Sequence, residues 1–149
     1  MSKENLNAEQ TNERDQFVER LLESTSGVFD IFTIYIGDQL GLYRELSKND
    51  PVTSVQLAAR TNTDERYIRE WLEQQTVSGV VEIGNSNEAS PERRFHLPPG
   101  RAEVLVDQDS LNYLAPLAQL VVGAARPVAS VVGAFRNGGG ASHGDYGID

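Results

Sequence analysis

Apolar residues recur at steps of three, four or seven in the first third of the chain. They are Phe17, Leu21, Val28, Phe32 and Tyr35 or Ile36. A helix of 3.6 residues per turn places such positions along one side. The pattern predicts a mostly helical segment from about Ala8 to Leu40, with a bend or a break at the run from Ser24 to Gly27.

The second half of this segment, "VFDIFTIYIGDQLGLY", is apolar around the whole helix. Such a surface is covered either by the core of the same chain or by a second subunit. A small domain with so long an apolar helix often covers it with a symmetry mate. We therefore expect a homodimer that forms through Phe17 to Leu42, with burial inside the monomer as the alternative.

Two helix starts follow in close succession. In "PVTSVQLAART", Thr53 and Gln56 form a capping-box pattern and predict a helix from Ser54 to about Arg60. Asn62 can then turn the chain and Thr63 can cap a second helix, whose first turn holds acidic residues that suit the helix dipole. Two caps this close predict a helix-turn-helix.

The next segment, "SGVVEIGNSNEASPERRFHLP", predicts a hairpin. Its strands are Gly79 to Ile83 and Arg93 to Leu97, and a polar Gly-Asn-Ser-Asn turn region lies between them. Helical spacing returns from Ser110 to Arg136, where Pro127 breaks the run into two helices that meet near Arg126. The predicted fold is mainly α: a winged helix-turn-helix with a two-stranded wing and additional N- and C-terminal helices.

These elements predict four regions along the chain. A flexible polar N-terminus covers 1–16, and a dimerisation helix with the winged-helix domain covers 17–108. The C-terminal helices occupy 109–137. The segment 138–149 is rich in glycine and too poor in apolar residues to pack alone, so we interpret it as a linker.

Composition restricts the function further. The 149 residues include no stretch that meets the length of a membrane span and no secretory start, so we expect a cytoplasmic protein without a membrane partner. With no cysteine and only two histidines, His96 and His143, a metal site is not expected. Neither histidine has a predictable nucleophile as its partner, and we expect no catalytic residue in this chain.

The second helix of the helix-turn-helix carries opposite charges on its outer side. Tyr67, Ile68, Trp71 and Leu72 share the inner side and are predicted core residues, whereas the outer side holds Glu65, Arg66, Arg69, Glu70 and Glu73. Three Glu–Arg pairs on that side are spaced four residues apart, which is the spacing of helical ion pairs. These carboxylates would face the phosphates of DNA, and the net charge of −9 also disfavours a polyanion.

A DNA-binding regulator is nevertheless a competing hypothesis. Its candidate contacts are Arg66 and Arg69 on the helix and Arg93 and Arg94 on the wing, with Arg60 and Arg101 as further candidates. For the wing arginines we favour a solvated surface, because Glu88 and Glu92 lie in the same loop. A third hypothesis keeps only protein interaction, with the apolar first helix as the docking surface.

Several motifs in the same order carry a family resemblance over roughly Phe17 to Asp149. They are "IYIGDQLGLYREL", "LAARTNTDERYIREWLEQQTVSGVVEI", "RFHLPPGRAEVL", "YLAPLAQLV" and "AFRNGGG" with "YGID". Together they resemble the N-terminal winged-helix region of S-adenosylmethionine-dependent methyltransferases that act on small molecules.

The resemblance implies a role inside a longer enzyme. In such enzymes the winged helix dimerises and covers the small-molecule substrate, while a C-terminal Rossmann-like domain binds S-adenosylmethionine and is absent here. Asp145, Tyr146 and Gly147 would form a lid near the methyl donor or substrate, in a segment expected to be disordered in this chain alone or ordered only by its neighbours. Tyr43 and Tyr113 are candidates for an aromatic substrate wall, although we favour a core role with a solvated hydroxyl.

Overall fold

The computed structural model describes residues 6–48, 50–84 and 92–147. These residues form seven α-helices, two strands and one 3-10 turn. In chain order they are α1 (Ala8–Gln39), α2 (Leu42–Leu46), α3 (Ser54–Thr61), α4 (Glu65–Val77), β1 (Glu82–Ile83), β2 (Phe95–His96), α5 (Pro99–Leu105), α6 (Ala115–Ala125), α7 (Val128–Asn137) and the 3-10 turn His143–Tyr146. The chain divides into two compact units, Met1–Asp30 and Ile31–Asp149.

The long first helix is continuous, so the predicted helix is confirmed and the predicted break at Ser24 to Gly27 is absent. The Ser24 and Thr25 hydroxyls donate to the carbonyls four residues earlier, at 2.8 and 2.7 Å. Their hydrogen-bonding capacity is thereby used within the helix. α1 begins at Ala8, after Asn7 accepts from the backbone N–H of Gln10. The predicted flexible segment 1–16 is therefore helical from Ala8 onward.

The helix-turn-helix is confirmed with one corrected cap. α3 starts at Ser54 with the predicted capping box of Thr53 and Gln56, and Asn62 ends it in the left-handed conformation with φ 53°. The cap of α4 is Asp64 rather than Thr63, because the Asp64 carboxylate accepts from the backbone N–H groups of Arg66 and Tyr67. The Thr63 hydroxyl instead lies 2.8 Å from that of Thr61.

The wing is present but its strands are shorter than predicted. β1 and β2 pair antiparallel, with Glu82 opposite His96 and Ile83 opposite Phe95. Residues 79–81 form the turn that follows α4, because Gly79 takes a positive φ of 70° and the Val80 and Val81 N–H groups donate to Gln75 O. The loop predicted between the strands lies, from residue 85 to 91, outside the described residues.

Two elements and one pairing were not predicted. Val52 exchanges backbone hydrogen bonds of 2.9 and 2.8 Å with Phe95 and adds a third segment to the wing. α2 is short and begins after Gly41, which has a φ of 69°. α5 begins at Pro99, a position that a helix tolerates because the first N–H has no partner inside the helix.

The core of the second unit combines the helix-turn-helix, α2 and the wing. Its buried members are Leu42, Tyr43, Leu46, Val52, Leu57, Ala58, Ile68, Trp71, Leu72, Val81, Phe95 and Leu97. Tyr67 was predicted in this core but is 76% exposed. Near the end of α4, Gln75 is buried instead, although it is polar, and it has no exposed surface.

The C-terminal helices α6 and α7 are confirmed, with Pro127 between them. The tail beyond them was predicted to be disordered or ordered only by its neighbours, and in the described residues it is ordered. His143–Tyr146 form a 3-10 turn that starts with a capping box of Ser142 and Asp145. The described tail therefore has local structure of its own.

Candidate functional site

The outer side of α4 is the surface that would meet DNA in a regulator. Arg66 and Glu70 are exposed there, and Arg69 Nη2 lies 3.9 Å from Glu65 Oε2 as a loose ion pair. Within the described part of the chain, the other two predicted pairs, Arg66 with Glu70 and Arg69 with Glu73, are not within salt-bridge distance. The charges are thus partly paired along the helix.

Glu73 has a different partner, which lies on the wing. Arg93 Nη1 donates to both Glu73 oxygens, at 2.7 and 2.9 Å, with both side chains about one third exposed. Sequence spacing within one helix could not indicate this contact, since the two residues are twenty positions apart. A candidate DNA contact is therefore bonded to a carboxylate of the surface itself.

The other basic residues of the wing region also contact the protein. Arg94 Nη1 donates to Pro51 O at 3.1 Å, and Arg101 Nη1 donates to Glu82 Oε1 at 2.9 Å. Of the four main DNA-contact candidates, Arg66 alone has a side chain without a hydrogen-bond or ion-pair partner in the described residues. Arg69, Arg93 and Arg94 therefore each have a contact within the protein.

Tyr43, a candidate for the substrate wall, lies in the core. It is 1% exposed, and its ring centroid is 5.3 Å from that of Trp71 with a tilt of 58°. Its hydroxyl donates to Gln75 Oε1, so the hydroxyl is not solvated. Burial raises the pKa of Tyr43 well above the ordinary tyrosine value, and the nearby Asp38 carboxylate adds to that rise.

A polar network extends from this tyrosine to α1. Gln75 Nε2 donates to Thr33 Oγ1 at 3.0 Å, and Trp71 Nε1 donates to Thr33 O at 2.9 Å. Gly37 permits the close approach, because a Cβ there would lie 2.5 Å from Trp71 and 2.7 Å from Tyr43. The network joins α1, α2 and α4, and it was missed because a glutamine is not expected in a core position.

Tyr113 and the lid candidates lie elsewhere in the second unit. Tyr113 is half-buried between α5 and α6, where its N–H donates to Ser110 O at 3.1 Å. Gly147 O accepts from Arg126 Nη1 at 3.2 Å, and the Asp145 carboxylate accepts from the Ser142 N–H at 2.8 Å. Tyr146 lines a cavity of about 450 Å³ beside α7. The structure does not bring Tyr43, Tyr113 and the lid candidates into one pocket.

A larger cavity was not predicted. Its volume is about 710 Å³, and its lining includes Lys48 just after α2, His96 and Leu97 at the wing, and Glu103 in α5. Hydrogen bonds from Asn112 and Ser110 lower the pKa of Glu103, against a small opposing effect of burial. His96 Nδ1 is buried and has no hydrogen-bond partner among the described residues. These residues come from separate elements, so no local motif points to the cavity.

The described residues form neither a metal site nor a glycine-rich loop of the kind that binds a methyl donor. The described ranges contain no group of three His, Cys, Asp or Glu side chains placed to hold a metal ion. The glycines 138–140 follow helix α7, whereas a methyl-donor loop needs its glycines between a strand and a helix. Residues 138–140 therefore do not fit a binding loop for S-adenosylmethionine.

The length and hydropathy of the helices decide whether one of them could span a membrane. No single helix among the described residues is long and apolar enough to cross a bilayer. α6 and α7 together have the length and composition of a membrane span, but they are bent by 49° at the break between them.

The profile of the "Rv2258c-like winged HTH domain" matches residues 30–107, slightly more than half of the chain. The chain belongs to this family. The matched winged helix contains the helix-turn-helix, the wing and α5, which agrees with the predicted fold. No curated protein matches the chain at a significant level.

Solved structures extend the similarity of this winged helix to methyltransferases. The mitomycin 7-O-methyltransferase MmcR is 20% identical, with a TM-score of 0.62 over 93% of this chain and 38% of that one. Human N-acetylserotonin methyltransferase, in complex with S-adenosylmethionine, is 13% identical, with a TM-score of 0.62 over 100% of this chain and 40% of that one. The methyltransferase CalO1, with S-adenosylhomocysteine bound, is 23% identical, with a TM-score of 0.55 over 91% and 38%. The chain thus spans about two fifths of these enzymes, whose N-terminal region is a winged helix.

Proposed function

We propose that this winged helix is the N-terminal dimerisation and substrate-covering domain of an S-adenosylmethionine-dependent methyltransferase and has no catalytic activity by itself. One observation carries the proposal. A superposition on MmcR covers 93% of this chain but only 38% of MmcR, which leaves room in a longer protein for a separate catalytic domain. In this proposal the C-terminal domain binds S-adenosylmethionine and performs the transfer in the cytoplasm.

The proposed subunit contact uses the first part of α1. Phe17, Leu21 and Leu22 are 50%, 49% and 65% exposed, and Val28 and Phe29 are 43% and 62% exposed. A contiguous apolar surface of this kind is typical of a protein interface. The sequence had extended this interface to Leu42, but Leu42 has no exposed surface and belongs to the core. The proposed dimer face is therefore Phe17 to Phe29.

The proposed substrate-covering role belongs to the C-terminal end. Asp145, Tyr146 and Gly147 lie where the chain would continue into a catalytic domain, and Tyr146 already lines a cavity with Val131 and Phe135. In the intact enzyme this segment would contact a small-molecule substrate or the methyl donor. Tyr113, which is half-buried, can still contribute to a substrate wall, whereas Tyr43 would require the core to open.

The regulator hypothesis lacks a supporting observation of the same weight. A DNA-binding helix gains affinity by displacing counterions with free lysine and arginine side chains. On this winged helix, Arg93 contacts Glu73 and Arg69 lies near Glu65. The carboxylates that would repel phosphate are therefore part of the candidate surface.

Two measurements test the proposal. Sedimentation velocity over a wide range of concentrations is expected to show a dimer, and Leu21→Asp is expected to shift it to monomer. Leu111→Asp, at a fully exposed position outside α1, is the matched control and should leave the dimer unchanged. A strict monomer at high concentration would refute the dimerisation part.

The proposed methyltransferase activity is tested with the full-length protein that the gene encodes. Calorimetric titration of S-adenosylmethionine is expected to show binding to that product and none to residues 1–149. Binding to 1–149 alone would contradict the proposed division of labour. A full product that does not bind the methyl donor would contradict the methyltransferase assignment.

A further inference from the structure

One arginine contacts the end of the C-terminal tail. Arg126 caps α6 at the break before Pro127, and its Nη1 donates to Gly147 O at 3.2 Å, across 21 positions of sequence. We call this hydrogen bond the clasp. The turn His143–Tyr146, which directly precedes Gly147, contacts α6, and Tyr146 is half-buried. The clasp therefore joins the end of the tail to the helix on which the turn packs.

Gly147 fits this contact in two ways. Its φ of 61° lies in the left-handed region, which favours glycine. A Cβ at this position would lie 1.6 Å from Arg126 Nη1 and 2.8 Å from Arg126 Cζ, whereas at Gly144, in the same turn, nothing lies within 4 Å of an added Cβ. The guanidinium is the flexible end of a long side chain. A larger residue at 147 would therefore displace the guanidinium and open the clasp.

The clasp lies at the surface and can open. Arg126 is exposed, so water competes for both partners of the hydrogen bond. A hydrogen bond of ordinary net strength changes an equilibrium by about fivefold. Segments that move over a ligand belong to the weakly held parts of a structure. A contact of this strength favours the closed tail and still permits its release.

We propose that Arg126 is a positioning residue for the lid candidates Asp145, Tyr146 and Gly147. The clasp holds these residues on the helices, and its loss releases them together. This inference rests on the proposed function and names the side chain that orders the lid. In the proposed enzyme, the fraction of molecules with a closed tail sets the apparent affinity for the methyl donor.

Chymotrypsin cleavage of chain 1–149 after Tyr146 measures the opening of the tail, because a protease cuts the open form. Arg126→Ala is expected to raise the rate of this cleavage about fivefold. Arg126→Lys keeps a donor and should restore most of the protection. Arg136→Ala, at an exposed arginine of α7, is the matched control and should leave the rate unchanged. Cleavage after Tyr67, which is 76% exposed on α4, reports any change in the rest of the fold.

A double-mutant comparison ties the effect to Gly147. Asparagine tolerates a positive φ, but its Cβ still meets the guanidinium, so Gly147→Asn opens the clasp while Arg126 is present. In this background Arg126→Ala is expected to have no further effect on the cleavage rate. In a Gly144→Asn background it should keep its effect of about fivefold. Equal effects of Arg126→Ala in the two backgrounds, or none in the natural chain, would overturn the proposal.

The full-length protein supplies the functional readout. Calorimetric titration with S-adenosylmethionine is expected to give a Kd about fivefold higher for Arg126→Ala, close to the natural value for Arg126→Lys, and unchanged for Arg136→Ala. Faster tail cleavage in 1–149 with an unchanged Kd would overturn the positioning role. A full-length protein that does not bind the methyl donor would contradict the proposed function instead, and the cleavage rates would still decide whether Arg126 holds the tail.

Discussion

The hydroxyl of Tyr43 donates a hydrogen bond to the side-chain oxygen of Gln75 inside the core of the winged helix. The amide nitrogen of Gln75 in turn donates to Thr33, so α2, α4 and α1 are joined through one buried glutamine. Buried polar groups that have all their partners restrict the packing of the surrounding elements. The contact therefore fixes how the last turns of α1 lie against the helix-turn-helix.

Tyr43→Phe is expected to destabilise the chain by about 1–3 kcal/mol, because it leaves a buried amide oxygen without its donor. The free energy of unfolding from chemical denaturation measures this effect. Tyr67→Phe is the control, since Tyr67 is 76% exposed and its change should be within about 0.5 kcal/mol. Equal effects at the two positions would contradict the role given to the Gln75 contact.

Stability at alkaline pH should depend on the same tyrosine. Burial raises the pKa of Tyr43, whereas in the unfolded chain it ionises at about 10. Its contribution is therefore fully present below about pH 10 and falls as pH rises further, by up to about 1.4 kcal/mol per pH unit. The free energy of unfolding, measured by denaturation below and above that pH, should fall more steeply with pH in the natural chain than in Tyr43→Phe. Parallel curves would contradict the prediction.

Two glycines of α1 offer a matched comparison. Gly37→Ala is expected to destabilise the chain by about 1–3 kcal/mol, because its Cβ would lie 2.5 Å from Trp71. At Gly27 nothing lies within 4 Å of an added Cβ, and Gly27→Ala should be neutral or stabilise the helix by up to about 1 kcal/mol. Thermal and chemical unfolding of both variants test the close packing of α1 on α4.

The start of α4 gives a further prediction. Asp64→Ala is expected to destabilise by about 1 kcal/mol, because two backbone N–H groups at the helix start lose their acceptor. Thr63→Ala removes only a contact between two hydroxyl groups and should cost less. A larger loss at Thr63, measured by chemical denaturation, would restore the cap that the sequence alone indicated.

The fold could be predicted where the signal is local. Helical periodicity gave α1 within a residue of its observed end, the capping box of Thr53 located α3, and Pro127 separated α6 from α7. The strands were predicted too long, because Gly79 is compatible with either a strand or a helix end. Local patterns thus identified most elements but not their limits.

Contacts between distant elements could not be predicted in the same way. Spacing indicated that Glu73 pairs with Arg69, but it pairs with Arg93, which the wing brings close. Gln75 and Val52 have no periodic pattern that marks them as buried, and the cavity near His96 joins three separate segments. For the candidate sites, the residue types could be read from the sequence, but only the tertiary structure determines which of them are in contact.

The central claim, that this helix-turn-helix is a methyltransferase module and does not bind DNA, is tested most directly by titration with labelled duplex DNA at low ionic strength. We predict no binding in fluorescence anisotropy, and none after Arg93→Ala or Arg94→Ala. Binding that weakens steeply with added salt, and that is lost in these arginine variants but not in Val77→Asp, would contradict the account.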